Sequence, residues 1–450
     1  MNTPIYDFVK NYIKSDVQRF HMPGHKGRNI LGFEGADLTE VDGADSLYLA
    51  SGIIAQSEQN AGKLFGAQTF YSTEGASLAI KAMLHLASRY ARAQGKSPVI
   101  VAGRNAHKAF VSASALVGFD VEWIFSADQS YLSCAVTAEQ LGCFLDNLQS
   151  NPVAVYLTSP DYLGNTVELK SIAKVCKERG VLLLVDNAHG AYLKFLSPSL
   201  HPIDIGADMC CDSAHKTLPC LTGGAYLHVS NGAPKEFCEN AKSALALFGS
   251  TSPSYLILQS LDALNAYIAN GYANILAEYT QKVSQLKCKL LAHGWTVCGN
   301  EPLKVTLATK AFGYTGDEVA KILSQNGIVC EFHDPDHIVF MLTPDNGDLT
   351  LLEDALTSIP KKKKLADTSP KMVQPHKVLS VRDATLAPCK TVSINNAVGE
   401  ILADLSIGCP PAVPIVVCGE QIDELAIQCF RYYGIKKVCV VDQAPNTSCK

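Results

Sequence analysis

Short runs of aliphatic residues alternate with helical patterns between residue 56 and about residue 270. A strand that is buried on both faces has no polar face, so such runs predict the strands of a parallel sheet. The predicted strands are 98–102, 121–125, 153–157, 181–186 and 225–229. Alternating strands and helices indicate an α/β fold in which a large, doubly wound domain has a mostly parallel sheet.

The rest of the chain predicts four further parts. Residues 1–55 form an N-terminal arm with little core of its own, and 56–280 form the large domain. A long helical pattern from Tyr255 to about His293 leads into a small α+β domain at 281–360. The lysine run that opens 361–372 is typical of a solvated linker, and 373–450 form a C-terminal module.

Asp186 and Lys216 are the most informative pair of residues. Asp186 ends the apolar run 181–186, and ligands of parallel sheets gather beyond the carboxyl ends of the strands. Lys216 follows in a tight segment between two apolar runs. Either residue alone is more often a surface charge or a helix cap. Together they indicate pyridoxal phosphate, because a carboxylate can keep the pyridine nitrogen protonated while a lysine forms a Schiff base with the aldehyde.

Other residues complete a candidate site around this cofactor. Gly75, Ala76 and Ser77 open a helical run, where backbone N–H groups could bind the phosphate, although an ordinary capped helix explains the same segment. His107 follows the predicted strand 98–102 and could stack on the pyridine ring, on the face opposite Ala188. Ser213 and His215 are close enough to Lys216 in sequence to reach the phosphate.

Composition narrows the class of partner. The formal charge of -5 gives no electrostatic case for nucleic acid or anionic membranes, so a small-molecule substrate is expected. The N-terminus shows no signal sequence and no apolar stretch approaches about 18 residues, which predicts a cytoplasmic protein.

No metal site is expected. The sixteen cysteines show no C-x-x-C spacing. His21 and His25 are four residues apart, but Pro23 and Gly24 interrupt any helix that would bring both rings to one face.

In its motifs the chain resembles the short-form members of the Orn/Lys/Arg decarboxylase family, which are fold-type I pyridoxal phosphate enzymes. The motifs that carry the resemblance are 21–27 (HMPGHKG), 37–40 (DLTE), 104–108 (RNAHK), 185–191 (VDNAHGA), 213–219 (SAHKTLP), 251–255 (TSPSY), 331–335 (EFHDP) and 410–414 (PPAVP). They occur in family order from end to end of the chain.

The resemblance implies decarboxylation of arginine, lysine or ornithine by a homodimer or larger homo-oligomer with a shared active site, as a step in polyamine biosynthesis. It makes Lys216 the Schiff-base lysine, Asp186 the partner of the pyridine nitrogen and His107 the stacking ring. Lys216 or His215 would reprotonate the substrate carbon. The family commonly has serine, histidine and glutamine where Ala109, Tyr192 and Gly223 stand, and these departures bear on substrate choice.

Two acidic residues are candidates for binding the distal cation of the substrate. Glu331 and Asp334 lie in a loop before an apolar strand, and acids in such a loop can select ammonium or guanidinium, although a solvated acidic turn explains them equally well. Glu331 is preferred because it opens a family-like motif.

Two alternative functions remain. An aminotransferase shares the fold and the cofactor but usually fixes the substrate carboxylate with an arginine of the small domain. The chain has no arginine between Arg179 and Arg382, so Arg382 is the residue that could serve this alternative. A non-catalytic homologue that binds pyridoxal phosphate is the other alternative, and the retained Lys216 argues against it.

Overall fold

The structure is a computed structural model that describes residues 1–126, 132–372, 374–405 and 413–442, and the backbone of 408–409. Its helices are α1 Pro4–Lys14, α2 Ile53–Phe65, α3 Gly75–Ala93, α4 Lys108–Val117, α5 Ala138–Asn147, α6 Leu169–Glu178, α7 Pro202–Ile205, α8 Ala214–Thr217, α9 Lys235–Phe248, α10 Tyr255–Ala269, α11 Tyr272–His293, α12 Gly316–Gln325, α13 Thr350–Thr357, α14 Val381–Leu386 and α15 Glu424–Tyr432. Its strands are β1 Gln68–Ser72, β2 Val99–Gly103, β3 Asp120–Ile124, β4 Ala154–Thr158, β5 Leu182–Asp186, β6 Met209–Asp212, β7 Ala225–Val229, β8 Thr296–Cys298, β9 Lys304–Ala308, β10 Phe332–His333, β11 His337–Met341, β12 Cys389–Ser393, β13 Gly408–Cys409, β14 Val413–Pro414 and β15 Lys437–Val441.

The chain folds into two compact units, each built from separate stretches of sequence. The first unit contains 1–94, 168–279 and 343–345, and the second contains 95–167, 280–342 and 346–450. This division follows contacts between residues, whereas the five-part division proposed above follows the sequence order. The five-part division stays a prediction.

The first unit contains the strands that carry Asp186 and Lys216. Its strand order is β1, β7, β6, β5. Strands β5 and β6 are parallel, whereas β7 runs antiparallel to both β1 and β6. All residues of β5, β6 and β7 are buried. The aliphatic composition of β5 before Asp186 is consistent with this burial, because neither face of the strand meets water.

The second unit contains a parallel group and an antiparallel sheet. Strand β2 lies between β4 and β3 and is parallel to both. The antiparallel sheet has the order β10, β11, β9, β8. Strands β12 and β15 form an antiparallel pair, and helix α15 packs its buried residues into the core beside them. The parallel pairs β5–β6, β2–β4 and β2–β3 outnumber the antiparallel pairs that β7 makes with β1 and β6, which confirms the predicted α/β fold with a mostly parallel sheet.

The predicted strands agree with β2, β3, β4, β5 and β7 to within one residue at either end. Strands β1 and β6 were missed. Strand β6 reads Met-Cys-Cys-Asp and is only four residues long, which gives no aliphatic run to recognise.

The prediction of one continuous helix from Tyr255 to about His293 is wrong. The structure has two helices, α10 and α11, separated at Asn270 and Gly271. Gly271 has φ +97°, a left-handed conformation that ends a helix.

Among the described residues, no helix combines the length and the apolar character that crossing a bilayer requires.

Candidate active site

The carboxylate of Asp186 is held at the carboxyl end of β5. Asp186 is 2% exposed, and its Oδ1 accepts a hydrogen bond from the Ala188 N–H at 3.1 Å. The neighbouring residue in the register is Cys211 on β6, whose Sγ lies 3.6 Å from the same oxygen. Burial and the Asp186 carboxylate raise the pKa of the Cys211 thiol well above its ordinary value, so the thiol keeps its proton and donates it.

Lys216 contacts the turn that carries Asp186. Lys216 lies in the short helix α8, directly after β6, and its Nζ donates to the His189 Nε2 at 3.1 Å. His189 is 6% exposed and comes three residues after Asp186. The structure thus brings together the lysine and the Asp186 turn, which the sequence had paired only by residue type.

His189 is a residue that the sequence analysis missed. Its one signal was its place in the 185–191 motif, where no role was assigned to it. Its distance from Lys216 along the chain, 27 positions, explains why no local pattern revealed the contact.

The start of α3 contains the residues that the sequence analysis assigned to the phosphate. The helix has no side-chain cap, so the capped-helix interpretation of this segment loses its main support. Gly75 has φ +69° and its N–H donates to the Gly223 carbonyl at 2.8 Å. A Cβ at Gly75 would lie 3.9 Å from Cε1 of His215. The residues that follow are Ala76, which is buried, and Ser77, which is exposed.

His215 has a defined proton arrangement. Its Nδ1 lies 2.9 Å from the Gly224 carbonyl oxygen, which only accepts, so Nδ1 carries the proton. Burial lowers the pKa of His215, the bond to Gly224 opposes this, and the charge of Lys216 lowers it further. The neutral ring therefore presents a bare Nε2 that accepts hydrogen bonds.

Ser213 and Ala188 border these groups. Ser213 is the buried N-cap residue of α8, three positions before Lys216. Ala188 is buried and donates its N–H to Asp186.

His107 belongs to the second unit, where it caps α4. Its Nδ1 accepts the Ala109 N–H at 3.1 Å, so in the neutral ring Nε2 carries the proton. The turn before it is anchored by the buried Arg104, which donates to the carbonyls of Pro414 and Ile415 and pairs with Glu420 at 3.0 Å. The C-terminal segment of the second unit thus fixes the backbone that carries His107.

Glu331 and Asp334 have different surroundings in the second unit. Glu331 is exposed, and its Oε1 accepts from the Tyr162 hydroxyl at 3.1 Å. It lies on an open groove of about 480 Å³ whose other lining residues include Val329 and Phe340. Asp334 is 3% exposed, and its Oδ1 accepts from the N–H groups of its own turn. Glu331 therefore offers a carboxylate to a ligand more readily than Asp334 does.

Arg382 binds the end of α4 that is far from His107. Its guanidinium donates to the carbonyls of Ala115 and Leu116, both at 3.2 Å. The helix has ten residues, so its two ends are about 15 Å apart. Arg382 therefore completes a helix C-terminus, and it does not supply the arginine clamp that the aminotransferase alternative would need.

Two of the family departures have a structural context. Gly223 has φ +100°, and a Cβ there would lie 2.8 Å from the Thr73 carbonyl oxygen, so glutamine at this position would be strained. Tyr192 is fully buried, in a short 3-10 helix at Ala191–Phe195.

His21 and His25 bind separate partners. His21 Nε2 lies 2.7 Å from the Tyr12 hydroxyl, whereas His25 Nε2 lies 3.2 Å from Asp37. These contacts give the two rings no common ligand.

Two side-chain groups in the described ranges have a composition that could bind a metal. They are His201, Cys210 and Asp212 in the first unit, and Asp334, Asp336 and His337 in the second. Asp212 is hydrogen-bonded to two histidines, and Asp336 is bound by Lys310 at 2.6 Å and by the Tyr432 hydroxyl. Both carboxylates thus already have protein partners.

Comparisons with known proteins match most of the chain. The family model described as the major domain of Orn/Lys/Arg decarboxylase matches residues 3–309. A protein of Bacillus subtilis (strain 168) called uncharacterized protein YaaO is 28% identical, over 95% of this chain and 93% of its own length. The arginine decarboxylase of the same organism is also 28% identical, over 94% of this chain and 91% of its own length.

Solved structures show the same fold. Lysine decarboxylase A from Pseudomonas aeruginosa matches with a TM-score of 0.80 at 16% identity, over 97% of this chain and 80% of its own. The Francisella novicida lysine decarboxylase LdcF matches with a TM-score of 0.77 at 17% identity, over 98% of this chain and 81% of its own. Of the 410–414 motif, residues 410–412 lie outside the described residues.

Proposed function

Since the chain belongs to the Orn/Lys/Arg decarboxylase family, as its motifs predicted, we propose that it is a pyridoxal phosphate-dependent decarboxylase of a basic amino acid. It would act on arginine, lysine or ornithine and release carbon dioxide with a diamine or another polyamine precursor. The observation that carries this proposal is the 3.1 Å contact between Lys216 and His189, which sets a reactive amine against the turn of a buried aspartate.

The residues of the first unit fit this cofactor. Lys216 would hold it covalently, and the buried carboxylate of Asp186 would face its ring nitrogen. At the uncapped start of α3, Ala76 and Ser77 would supply N–H groups for a phosphate, and Gly75, whose own N–H donates to Gly223, would permit its close approach. Ser213 and His215 would border that phosphate, and Ala188 would contact the ring. The stacking role of His107, a residue of the second unit, stays a prediction from the sequence. When bound, the cofactor supplies an electron sink for the electron pair left by carbon dioxide.

The site must also keep the ring nitrogen protonated. Asp186 does this through its negative charge, which Ala188 and Cys211 hold in place with an N–H and an S–H bond. A buried carboxylate acts more strongly than an exposed one, because the surrounding protein screens its charge less than water does.

The substrate carbon needs a proton after carbon dioxide leaves, and Lys216 is a better donor than His215. His215 has its proton at Nδ1, where the Gly224 carbonyl binds it, and its lowered pKa keeps Nε2 bare at neutral pH. His189 Nε2 is within hydrogen-bond distance of Lys216 Nζ and can exchange a proton with it. We therefore assign proton delivery to Lys216, with His189 as its partner.

Glu331 is the proposed ligand of the substrate's distal cation. Its carboxylate lies on a groove with apolar walls, which suits a substrate with an aliphatic chain and a terminal charge. The Tyr162 hydroxyl orients the carboxylate. Asp334 remains a second candidate. A cytoplasmic homo-oligomer with a shared active site also remains a prediction.

The test is carbon dioxide release by purified protein with added pyridoxal phosphate, with arginine, lysine and ornithine offered separately. We expect release from at least one substrate, and a loss of at least about 1000-fold in Lys216→Ala. Lys174→Ala, which removes an exposed lysine of the same unit, is the matched control and should behave like the parent protein. Release from none of the three substrates, with the cofactor bound, would contradict the proposed reaction.

A further inference from the structure

A second buried carboxylate lies at the end of the strand next to Asp186. Asp212 ends β6 and is fully buried, and it takes no part in the mechanism proposed above. Its Oδ2 lies 3.0 Å from Nε2 of His201 and 3.2 Å from Nε2 of His228, while its Oδ1 accepts from Asn187 Nδ2 at 2.7 Å. All these partners are themselves buried.

The alternation of side chains places this cluster behind the Asp186 carboxylate. Asp186 pairs with Cys211 and bonds to it, so these two side chains share one face of the sheet. The next residues along each strand, Asn187 and Asp212, point to the other face, where they bond to each other. The backbone between Asp186 and Asn187 is thus held from both faces.

The histidines fix the charge of Asp212. His228 lies opposite Cys210 in the register, and its Nδ1 lies 2.9 Å from the hydroxyl of Thr69 on the adjacent strand β1. Burial lowers the pKa of His228, although Asp212 opposes this, so the neutral ring donates through Nε2 and accepts the hydroxyl proton at Nδ1. Burial alone would raise the pKa of Asp212, but the two histidines hold it below its ordinary range. Asp212 therefore stays ionised and accepts every bond that reaches it.

Packing leaves the link to Asn187 little freedom. A Cβ at Gly190 would overlap the amide oxygen of Asn187, so the glycine makes room for this side chain. The ring of Phe65 packs against both histidines, with centroids 5.5 Å from His201 and 4.5 Å from His228.

We infer that Asp212 is a positioning residue for the proposed cofactor site and holds the Asp186 carboxylate in place through the side chain of Asn187. The inference rests on the proposed function, because it concerns how Asp186 meets the cofactor. Asp212 acts through another residue, so its loss changes the placement of a charge and leaves the charge of Asp186 itself intact.

The test measures cofactor binding by the apoprotein and the pH dependence of the bound cofactor's absorption band. Asn187→Ala and Asp212→Ala should each raise the Kd for pyridoxal phosphate about tenfold or more and shift the pH at which the band changes. The double variant should be no worse than either single variant, since both break the same link. Asp212→Asn should rescue most of the binding, because an amide oxygen still accepts from Asn187 and the histidines can exchange tautomers to accept its N–H groups.

The matched control is Glu58→Gln, which neutralises another buried carboxylate of the first unit. Glu58 accepts from the Tyr71 N–H and pairs with Lys242, without contact to the Asp186 turn. Its variant should keep the parent Kd and spectrum.

Three outcomes would count against the proposals, and they differ. If Asn187→Ala and Asp212→Ala melt at lower temperature but keep the parent Kd and band, Asp212 is merely structural and the inference falls. Asn187→Ala alone decides this if Asp212→Ala does not fold, since it leaves the pairs between Asp212 and its histidines in place. A parent protein that binds the cofactor but releases no carbon dioxide overturns the reaction only, and one that binds no cofactor overturns both.

Discussion

Two turns, one in each unit, have the same local plan and different surroundings. In the first unit, Asp186 accepts the N–H of the second residue after it, and His189 follows as the third residue. In the second unit, Asp334 accepts the N–H groups of the second and third residues after it, and the third is again a histidine, His337. An aspartate followed by such a turn is a common local structure that by itself carries no function.

The difference is in what contacts the histidine of each turn. His189 contacts Lys216, which comes from a different strand-to-helix segment. His337 Nδ1 lies 3.5 Å from Asp334 of its own turn, beyond a good hydrogen bond. Distant residues reach both turns, since Lys310 and the Tyr432 hydroxyl bind Asp336 in the second one. The comparison therefore teaches that the two turns differ in the partner of their histidine, because the local pattern is the same at both places.

The sharpest way to break this comparison is to remove both aspartates. Asp186→Ala should lower kcat by at least about 100-fold at saturating cofactor, because the ring nitrogen loses the charge that keeps it protonated. Asp334→Ala should instead lower the free energy of unfolding by about 2 kcal/mol, because one buried and one half-buried N–H group lose their acceptor. Steady-state kinetics and denaturant unfolding of both variants would measure this.

The reverse pattern would contradict the comparison. A fall in kcat or a rise in KM as the main effect of Asp334→Ala would return Asp334 to the substrate site. Unchanged turnover in Asp186→Ala would show that Asp186 has no role in the cofactor site.

The sequence predicted one of these turns better than the other, for a physical reason. The aliphatic run of β5 places Asp186 at a strand end, and parallel strands collect ligands there, so its role could be proposed without coordinates. Asp334 offered its charge, a short loop and a place in the 331–335 motif, none of which predicts its burial. Burial and turn bonds decide what a carboxylate does, and a single sequence does not show them.

The same limit applies to the residues that the sequence missed. His189 and Asp212 acquire their partners only when β5 and β6 lie side by side. The second of these strands was not predicted, because Met-Cys-Cys-Asp has no aliphatic run. In contrast, Lys216 stood out because it lies in a tight segment between two apolar runs, with family-like neighbours.

The two histidines give the next test. His189→Gln should lower kcat about 10- to 100-fold and change its pH dependence, because glutamine can bond to Lys216 but cannot take up its proton. His337→Gln is the matched variant at the equivalent position of the other turn and should change kcat less than about twofold. Initial rates of carbon dioxide release between pH 5.5 and pH 9 would compare the two.

Two results for these variants would contradict the expectation. Equal effects of the two variants on kcat would mean that the contact with Lys216 adds nothing to turnover. A changed pH profile in His337→Gln would mean that the second turn also titrates during the reaction.

Glu331 tests whether the second unit contributes to substrate choice at all. Glu331→Gln should raise KM for the preferred basic amino acid about tenfold, with a smaller change in kcat, because a charge-assisted bond to the distal cation becomes a neutral one. The control is Asp317→Asn in the same unit, where an exposed acid binds His333 at 2.7 Å. A KM that rises equally in both variants would show only a general loss of negative charge and would remove Glu331 from the substrate site.

The smallest expected effect concerns the stability of the first unit in acid. Burial lowers the pKa of His215 from its ordinary value of about 6.5, so below that pH the unfolded chain binds a proton that the folded protein resists. Stability should therefore fall as the pH drops through 6.5 and level off below the folded-state pKa. In His215→Asn the side-chain amide can still donate to Gly224. The fall in stability at acid pH should be smaller in this variant, because His215 no longer contributes to it. Burial also lowers the pKa values of His85 and His228, so these two residues should still cause part of the fall in stability at acid pH. Melting temperatures of the apoprotein at pH 8 and pH 5.5 measure the difference, and an identical drop in parent and variant would mean that His215 titrates alike in the folded and unfolded chain.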